Sequence, residues 1–329
     1  MEHEQVMVEK TLLCDFQGAL DRARNILLVS DSRADGDSLG SVTALAHHLV
    51  AQNKRACIFV GRPVTPTLQF LLPGHELLIG EDALTGHSFD LIITCDFSSP
   101  EQSAIGSFLE RARRSDKQQL VVIDHHATNT HFGDINIVVP DASANTEVLF
   151  FIFKYFGWKI EKPIAESLLT GLLYDTGNFS NASTTHSTLK MAAELMLCGA
   201  KLHKITSMLQ RNKSIDVLRF WGQLLLRLRP AIDQSLAVTF ATLNDFSSHG
   251  LGQEALEGLA NFLNSLADTD AIMVLKEEES TVKGSLRTTK DSVDVSKMAR
   301  LFGGGGHRKA AGFTLSGKLQ ETKAGCRVV

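Results

Sequence analysis

The chain has 329 residues, 43% of them hydrophobic, and a net charge of −4, which fits a globular protein with two cores and argues against a broad nucleic-acid-binding face. No apolar run reaches 18 residues and the charged first ten residues lack an apolar stretch, so neither a membrane span nor a secretory leader is expected, and the expected location is cytoplasmic. Five scattered cysteines (Cys14, Cys57, Cys95, Cys198, Cys326) contain no Cys-x-x-Cys pair and support neither a disulfide framework nor a zinc knuckle.

Apolar runs rich in Ile, Val and Leu at 26–29, 56–60, 91–95, 120–123 and 135–139 read as strands. Between the first two, Leu39, Val42, Leu45, Leu49 and Val50 recur at helical spacing. The alternation predicts βαβ units and a parallel sheet, hence an α/β fold. Helical patterns follow at 145–156, 163–173, 188–198, 202–210 and 214–228, and Pro230 ends the last of them. Strand signals at 236–242, 271–276 and 281–287, helical segments at 252–266 and 295–301, and a short strand near Phe313 predict a second, smaller α+β domain. The expected division is a catalytic domain over 1–215, a linker over 216–230 and a substrate domain over 231–329. Residues 281–329 hold ten Lys/Arg against three Asp/Glu, a local net of +7 beside an acidic remainder of −11. That asymmetry suits metals on one side and an anionic substrate on the other, although charge alone favours the plainer reading of a solvated basic face.

Four motifs follow apolar runs: Asp35-Gly36-Asp37, Asp96, Asp124-His125-His126 and Asp175. Residues just past the carboxyl ends of parallel strands converge on one crevice, so at least three of these motifs are expected to share a site. Clustered carboxylates with imidazole suit divalent cations, and the carboxylates select hard ions such as Mg²⁺ and Mn²⁺. Each motif has a plainer explanation. Asp35-Gly36-Asp37 is ordinary turn and N-cap chemistry, Asp96 is placed to cap a helix near Glu101, and Asp175 ends a helix before Gly177. The adjacent histidines are harder to explain structurally, since each ring needs a partner at both nitrogens. His47-His48, by contrast, lies inside a helical pattern and reads as filler.

Gly303-Gly304-Gly305-Gly306-His307-Arg308-Lys309 is not a Walker A loop, because no Lys-Ser/Thr follows the glycines. Four glycines let backbone N–H groups approach an anion, and Arg287, ending a strand of the same domain, can fork a phosphate.

In order and spacing these motifs resemble the DHH phosphoesterase superfamily, named for the triplet at 124–126. The Gly-Gly-Gly-Gly-His run resembles the DHH-associated domain of its subfamily 1, in the bifunctional oligoribonuclease and 3'-phosphoadenosine-5'-phosphate (PAP) phosphatase, or nanoRNase, type. The match spans residues 24 to 315. The resemblance implies two divalent cations, Mn²⁺ or Mg²⁺, and hydrolysis of a phosphate ester by a metal-bound hydroxide. It implies that Asp35 and Asp96 hold the first metal, and that Asp37, Asp96, His125 and Asp175 hold the second. His126 would contact the scissile phosphate and Asp124 would support the histidines. Arg287, Gly304, Gly305, Gly306 and His307 would bind substrate.

One position departs from the pattern. The family histidine four residues before the first Asp is Asp31 here, which either ligates the first metal as an oxygen donor or weakens the site. The expected substrate is a short oligonucleotide or dinucleotide such as pApA, with no membrane and no long duplex as partner and a homodimer left open. The alternatives are a cyclic-dinucleotide phosphodiesterase and a weakened nucleotide-binding protein.

Overall fold

The computed structural model describes residues 8–115, 118–181, 183–210, 213–231, 235–264, 266, 268–306, 308–322 and 325–329. They divide into two units, 1–212 and 213–329.

The first unit holds strands β1 (Asn25–Val29), β2 (Arg55–Val60), β3 (Glu76–Ile79), β4 (Leu91–Cys95), β5 (Gln119–Asp124) and β6 (Ile135–Val138). All pair in parallel, in the order β3-β2-β1-β4-β5-β6. Its helices are α1 (Lys10–Arg22), α2 (Gly36–Ala51), α3 (Gly106–Arg113), α4 (Asn145–Phe156), α5 (Lys162–Asp175), α6 (His186–Leu197) and α7 (Leu202–Gln210). The strands read as continuous apolar runs because both faces are covered. Ile26, Leu28, Ile58, Ile93 and Val121 join one core, whereas Leu27, Val29, Phe59, Ile92 and Val122 join the other. The strand order reverses direction between β1 and β4, the position at which doubly wound sheets open a crevice at the carboxyl ends.

Helix α2 crosses α5 at unusually close range. A Cβ on Gly40 would lie 2.6 Å from the Ser167 carbonyl oxygen, and one on Gly171 would collide with Asp37 Oδ1 and Thr146. Thr43 Oγ1 adds a buried hydrogen bond to Ser167 Oγ at 3.0 Å. This crossing brings the start of α2 against the end of α5.

The second unit contains α8 (Ile215–Leu226), β7 (Arg229–Ala231), β8 (Leu236–Ala241), α9 (Leu243–Ser248), α10 (Leu259–Leu263), β9 (Ala271–Glu277), β10 (Thr281–Arg287), α11 (Val295–Leu301), β11 (Gly305–Gly306), β12 (Ala310–Ser316), β13 (Leu319–Thr322) and β14 (Gly325–Val328). Its main sheet runs β11-β12-β10-β9-β8-β7, with β8 and β9 parallel and the other neighbours antiparallel. The expected linker over 216–230 is instead α8 followed by most of β7. Val217, Phe220, Trp221 and Leu224 bury against Ala237, Phe246 and Ile272, so apolar periodicity makes this segment part of the second core. The helical pattern at 252–266 resolves into a 3₁₀ turn (Gln253–Leu256) and the short α10, separated by Gly258 at φ +86°. No helix among the described residues is long and apolar enough to cross a membrane.

Candidate active site

Asp35 is the N-cap of α2, and its Oδ1 accepts from the backbone N–H groups of Asp37 (2.9 Å) and Ser38 (3.0 Å). The turn-chemistry reading therefore holds for this oxygen. Asp37 is wholly buried. Its Oδ2 accepts from Asn145 N at 2.5 Å, and its Oδ1 accepts from Thr146 N at 3.0 Å and Thr146 Oγ1 at 2.7 Å. Burial, reinforced by the Asp175 carboxylate, pushes the Asp37 carboxyl up to about 6 despite the pull of His125 and Thr146. Burial, together with Asp37 and Asp31, likewise raises Asp35 against its backbone hydrogen bonds.

Asp96 follows β4 with φ +67°, while its N–H still donates to Ile123 O of β5 at 3.1 Å. This left-handed conformation costs free energy for a non-glycine residue, and such strain is typically retained where a side chain must be aimed. Asp96 caps no helix, since the 3₁₀ turn Pro100–Gln102 begins after Ser99. Its carboxyl rises well above the usual range, through burial first and then Asp37, Asp35 and Asp175, against the opposing pull of His125.

Asp124 is wholly buried at the end of β5, where its Oδ1 accepts from His125 N and from His126 Nδ1, both at 2.8 Å. Its Oδ2 accepts from Asn129 Nδ2 at 2.6 Å. Burial alone would raise this carboxyl, but His126, Asn129 and His125 outweigh it and hold it below the usual range. A carboxylate only accepts, so His126 donates through Nδ1 and Nε2 is left to face other partners.

His125 is held the same way, by Nδ1 on the Ala142 carbonyl at 3.1 Å. Its Nε2 lies 3.2 Å from Asp175 Oδ2, 3.4 Å from Asp96 Oδ1 and 4.0 Å from Asp37 Oδ2. Neither His125 Nε2 nor Asp96 Oδ1 makes a hydrogen bond, although both are buried. A bare imidazole lone pair facing carboxylates is repulsive unless a proton or a cation lies between them. Burial would lower the His125 pKa, but Asp175 and Asp96 raise it well above its ordinary value. The donor set of hard oxygens plus one imidazole nitrogen, with two orphaned buried atoms pointing at each other, fits a divalent cation. Donor atoms of Asp37, His125 and Asp175 fall within 4.8 Å of one another, as do those of Asp96, His125 and His126. Asp31 is in neither group, and its Oδ1 accepts from Arg33 N at 2.5 Å.

The DHH family, N-terminal domain, matches residues 25–173, and the DHHA1 domain matches residues 233–324. The chain belongs to the DHH family. It is 30% identical to the bifunctional oligoribonuclease and PAP phosphatase NrnA of Thermus thermophilus over 86% of this chain and 82% of that protein. To the protein of the same name from Bacillus subtilis it is 27% identical, over 88% of this chain and 89% of the relative. Among solved structures, an exopolyphosphatase-related protein from Bacteroides fragilis shares the fold, with a TM-score of 0.84 at 24% identity over 93% of this chain and 92% of that one.

In the DHHA1 domain the four glycines are ordered. Gly303 N and Gly304 N close the end of α11 on Arg300 O and Ala299 O, and Gly305 and Gly306 pair with Gly312 and Ala311. A Cβ on Gly304 would strike the Gly312 carbonyl and approach Phe313 Cβ to 2.6 Å, so close packing demands glycine there. Gly305 and Gly306 are exposed. Arg287 is half-buried at the end of β10, where Nε donates to Asn261 Oδ1 (3.2 Å) and Nη1 to Leu286 O (2.9 Å). Arg308 and Lys309, which follow the glycines, bond to Asp291 and Thr289. His307 lies outside the described residues.

Several residues that build the site carry no sequence motif. Asn145 and Thr146 open α4 after an apolar strand and offer only the weak signal of polar residues at a helix start. Asn129 and Ala142 offer none.

Proposed function

We propose that this DHH-family chain is a phosphoesterase dependent on two divalent cations, Mn²⁺ or Mg²⁺, that hydrolyses short oligoribonucleotides and dinucleotides such as pApA, with PAP as a further substrate. The observation that carries the reading is the buried pair Asp96 Oδ1 and His125 Nε2, 3.4 Å apart and without hydrogen bonds. The names of the Thermus and Bacillus relatives supply the substrate class.

Asp35 and Asp96 would hold one cation, with Asp31 as a candidate third oxygen ligand, while Asp37, Asp96, His125 and Asp175 would hold the other. Cations held there supply a hydroxide nucleophile near neutral pH and neutralise charge developing on the phosphoryl oxygens. The protein's own contribution is orientation. Ala142 O fixes the His125 tautomer so that Nε2 faces the carboxylates. Asp124, itself held by Asn129, fixes His126 so that Nε2 can meet a substrate phosphate. Arg287, Gly304, Gly305, Gly306 and His307 would receive the substrate's other phosphate or nucleotide, and the exposed Gly305–Gly306 backbone leaves room for that approach.

Release of AMP from pApA by the EDTA-stripped full-length chain, before and after adding Mn²⁺ or Mg²⁺, tests the reading. Activity should vanish on stripping and return with metal; undiminished hydrolysis after rigorous chelation would sink it. A second reading, a weakened nucleotide-binding protein, draws on Asp31, whose Oδ1 is engaged by Arg33 N–H. Retention of pApA without AMP release, with metal restored, would favour that reading.

A further inference from the structure

Cys57, Glu76 and His87 lie away from the carboxylate cluster and bring three kinds of donor together. One ligand atom from each falls within 4.8 Å of the others. We propose that these three residues form a second cation site on the catalytic unit, one suited to Zn²⁺ rather than to hard ions.

The placement follows from strand pairing. Cys57 and Glu76 are directly opposed in the parallel β2–β3 register and so project to the same face. His87 follows the 3₁₀ turn Glu81–Leu84 that succeeds β3, and its ring stacks on Phe89 with centroids 5.8 Å apart and planes 7° apart. Zinc bonds of about 2.3 Å to sulfur and about 2.0–2.2 Å to nitrogen and oxygen at tetrahedral angles separate ligand atoms by roughly 3.3–3.7 Å. At most about 1.5 Å must close, which the exposed Glu76 and half-buried His87 side chains can supply between them.

Arg55 forks Glu76, with Nη2 at 2.9 Å from Oε1 and Nε at 3.2 Å from Oε2. A carboxylate has two oxygens, so one can ligate while the other keeps Arg55, which then orients the ligand. As the metal–sulfur bond forms, the thiol proton leaves to solvent. Thiolate, imidazole and a single carboxylate make a borderline-soft donor set, unlike the oxygen-rich centre beyond the carboxyl ends of β1 and β4. Glu76 instead opens β3, and Cys57 is the third of the six residues of β2. Here the ion would staple the four-residue edge strand β3, and the turn after it, to the sheet.

The test titrates the EDTA-stripped full-length chain with Cd²⁺, whose bond to thiolate gives an ultraviolet charge-transfer band; none of the donors assigned to the catalytic centre is sulfur. The expected result is a band saturating at one Cd²⁺ per chain, displaced by Zn²⁺, lost in Cys57→Ser and weakened at least about tenfold in affinity in His87→Ala. Zn²⁺ should also raise the Tm of the wild type more than that of His87→Ala. A wild type with no band, or a band surviving in Cys57→Ser, overturns the site. If Cys57→Ser fails to fold, His87→Ala decides with every cysteine intact: unchanged Cd²⁺ affinity overturns it.

Discussion

A carboxylate cluster in the first unit and a set of ion pairs in the second manage charge in opposite ways. In the first, Asp35, Asp37, Asp96 and Asp175 crowd around His125, and among the described residues no Lys or Arg forms an ion pair with them. In the second, Arg227 forks Asp245, Lys276 and Lys283 share Glu278, and Lys309 holds Asp291. The carboxylate cluster leaves its charge to be completed by something from solution, whereas these pairs of the second unit neutralise one another. Opposite outcomes should therefore follow when a charge is removed from each.

The largest effect belongs to Asp96→Asn. Activity on pApA should fall by more than about two orders of magnitude, because the residue serves both proposed cations. Asn tolerates the left-handed backbone, and it relieves the repulsion that burial, Asp37 and Asp35 impose on this carboxyl, so the metal-free protein should unfold at higher denaturant. A metal-free variant no more stable than wild type would break the comparison. Asp31→Ala should cost less activity than Asp96→Asn; equal losses would argue against Asp96 as the bridging ligand.

Arg227→Met is the converse. It leaves Asp245 buried without its fork and should destabilise the second unit by about 2–3 kcal/mol in denaturant unfolding. Burial would raise the Asp245 carboxyl, but Arg227 and Thr242 outweigh it and hold it below the usual range. A depressed carboxylate contributes stability that is present above its unfolded pKa and lost as pH falls through the folded one. The Arg227→Met deficit should therefore shrink in acid, and a pH-independent deficit would mean that packing, not charge, is at work.

A smaller change is expected from Arg287→Ala, which should raise KM for pApA by about tenfold while leaving kcat nearly unchanged. Unchanged KM would remove Arg287 from the proposed cradle.

The smallest concerns acid and the first unit. His48 and His75 are pushed down to about 4 by burial, with His47 adding to the effect at His75. Between their ordinary value of 6.5 and about 4 the unfolded chain binds protons that the folded chain refuses, so stability falls as pH falls through that window. Asp37, raised to about 6, acts oppositely above 3.8, because the folded state then holds the extra proton. Metal-free His75→Gln should accordingly show a flatter acid limb than wild type, read as Tm against pH.

The legible part of the site was the part carried by strand ends. Asp37, Asp96 and His125 each follow the apolar run of a strand, and one parallel sheet suffices to bring such residues together, whereas Asp175 ends α5 and is brought to them by the α2–α5 crossing. The strands at 26–29, 91–95 and 120–123 could be read because burial on both faces demands uninterrupted apolar residues. β3 escaped notice, since Glu76-Leu77-Leu78-Ile79 is short and half exposed at the sheet edge. α1 and α3, each with a narrow buried stripe, were missed for the same reason. The holders of Asp37 carry little signal because two of their three hydrogen bonds come from the backbone N–H groups of Asn145 and Thr146, which every residue but proline possesses, and the third from a single Thr146 hydroxyl. The 216–230 segment, expected as a linker, has the periodicity of a helix, but periodicity does not say which core a helix serves, and Phe220 and Trp221 serve that of the second unit. Asp31 was conspicuous in the sequence, yet its hydrogen bond to Arg33 N–H is local turn chemistry that a motif cannot reveal.

The crossing of α2 and α5 has a consequence for synthesis. The Asp37 carboxylate accepts its hydrogen bonds from Asn145 and Thr146, and Asp175 reaches His125 once α5 lies in the groove that Gly40 and Gly171 open. During translation, at about 5–20 residues per second, the carboxylates of residues 35–37 emerge several seconds before their last partner. A half-made chain therefore has acidic residues but no chelate, and it has little to offer a passing metal ion until nearly the whole first unit has left the ribosome.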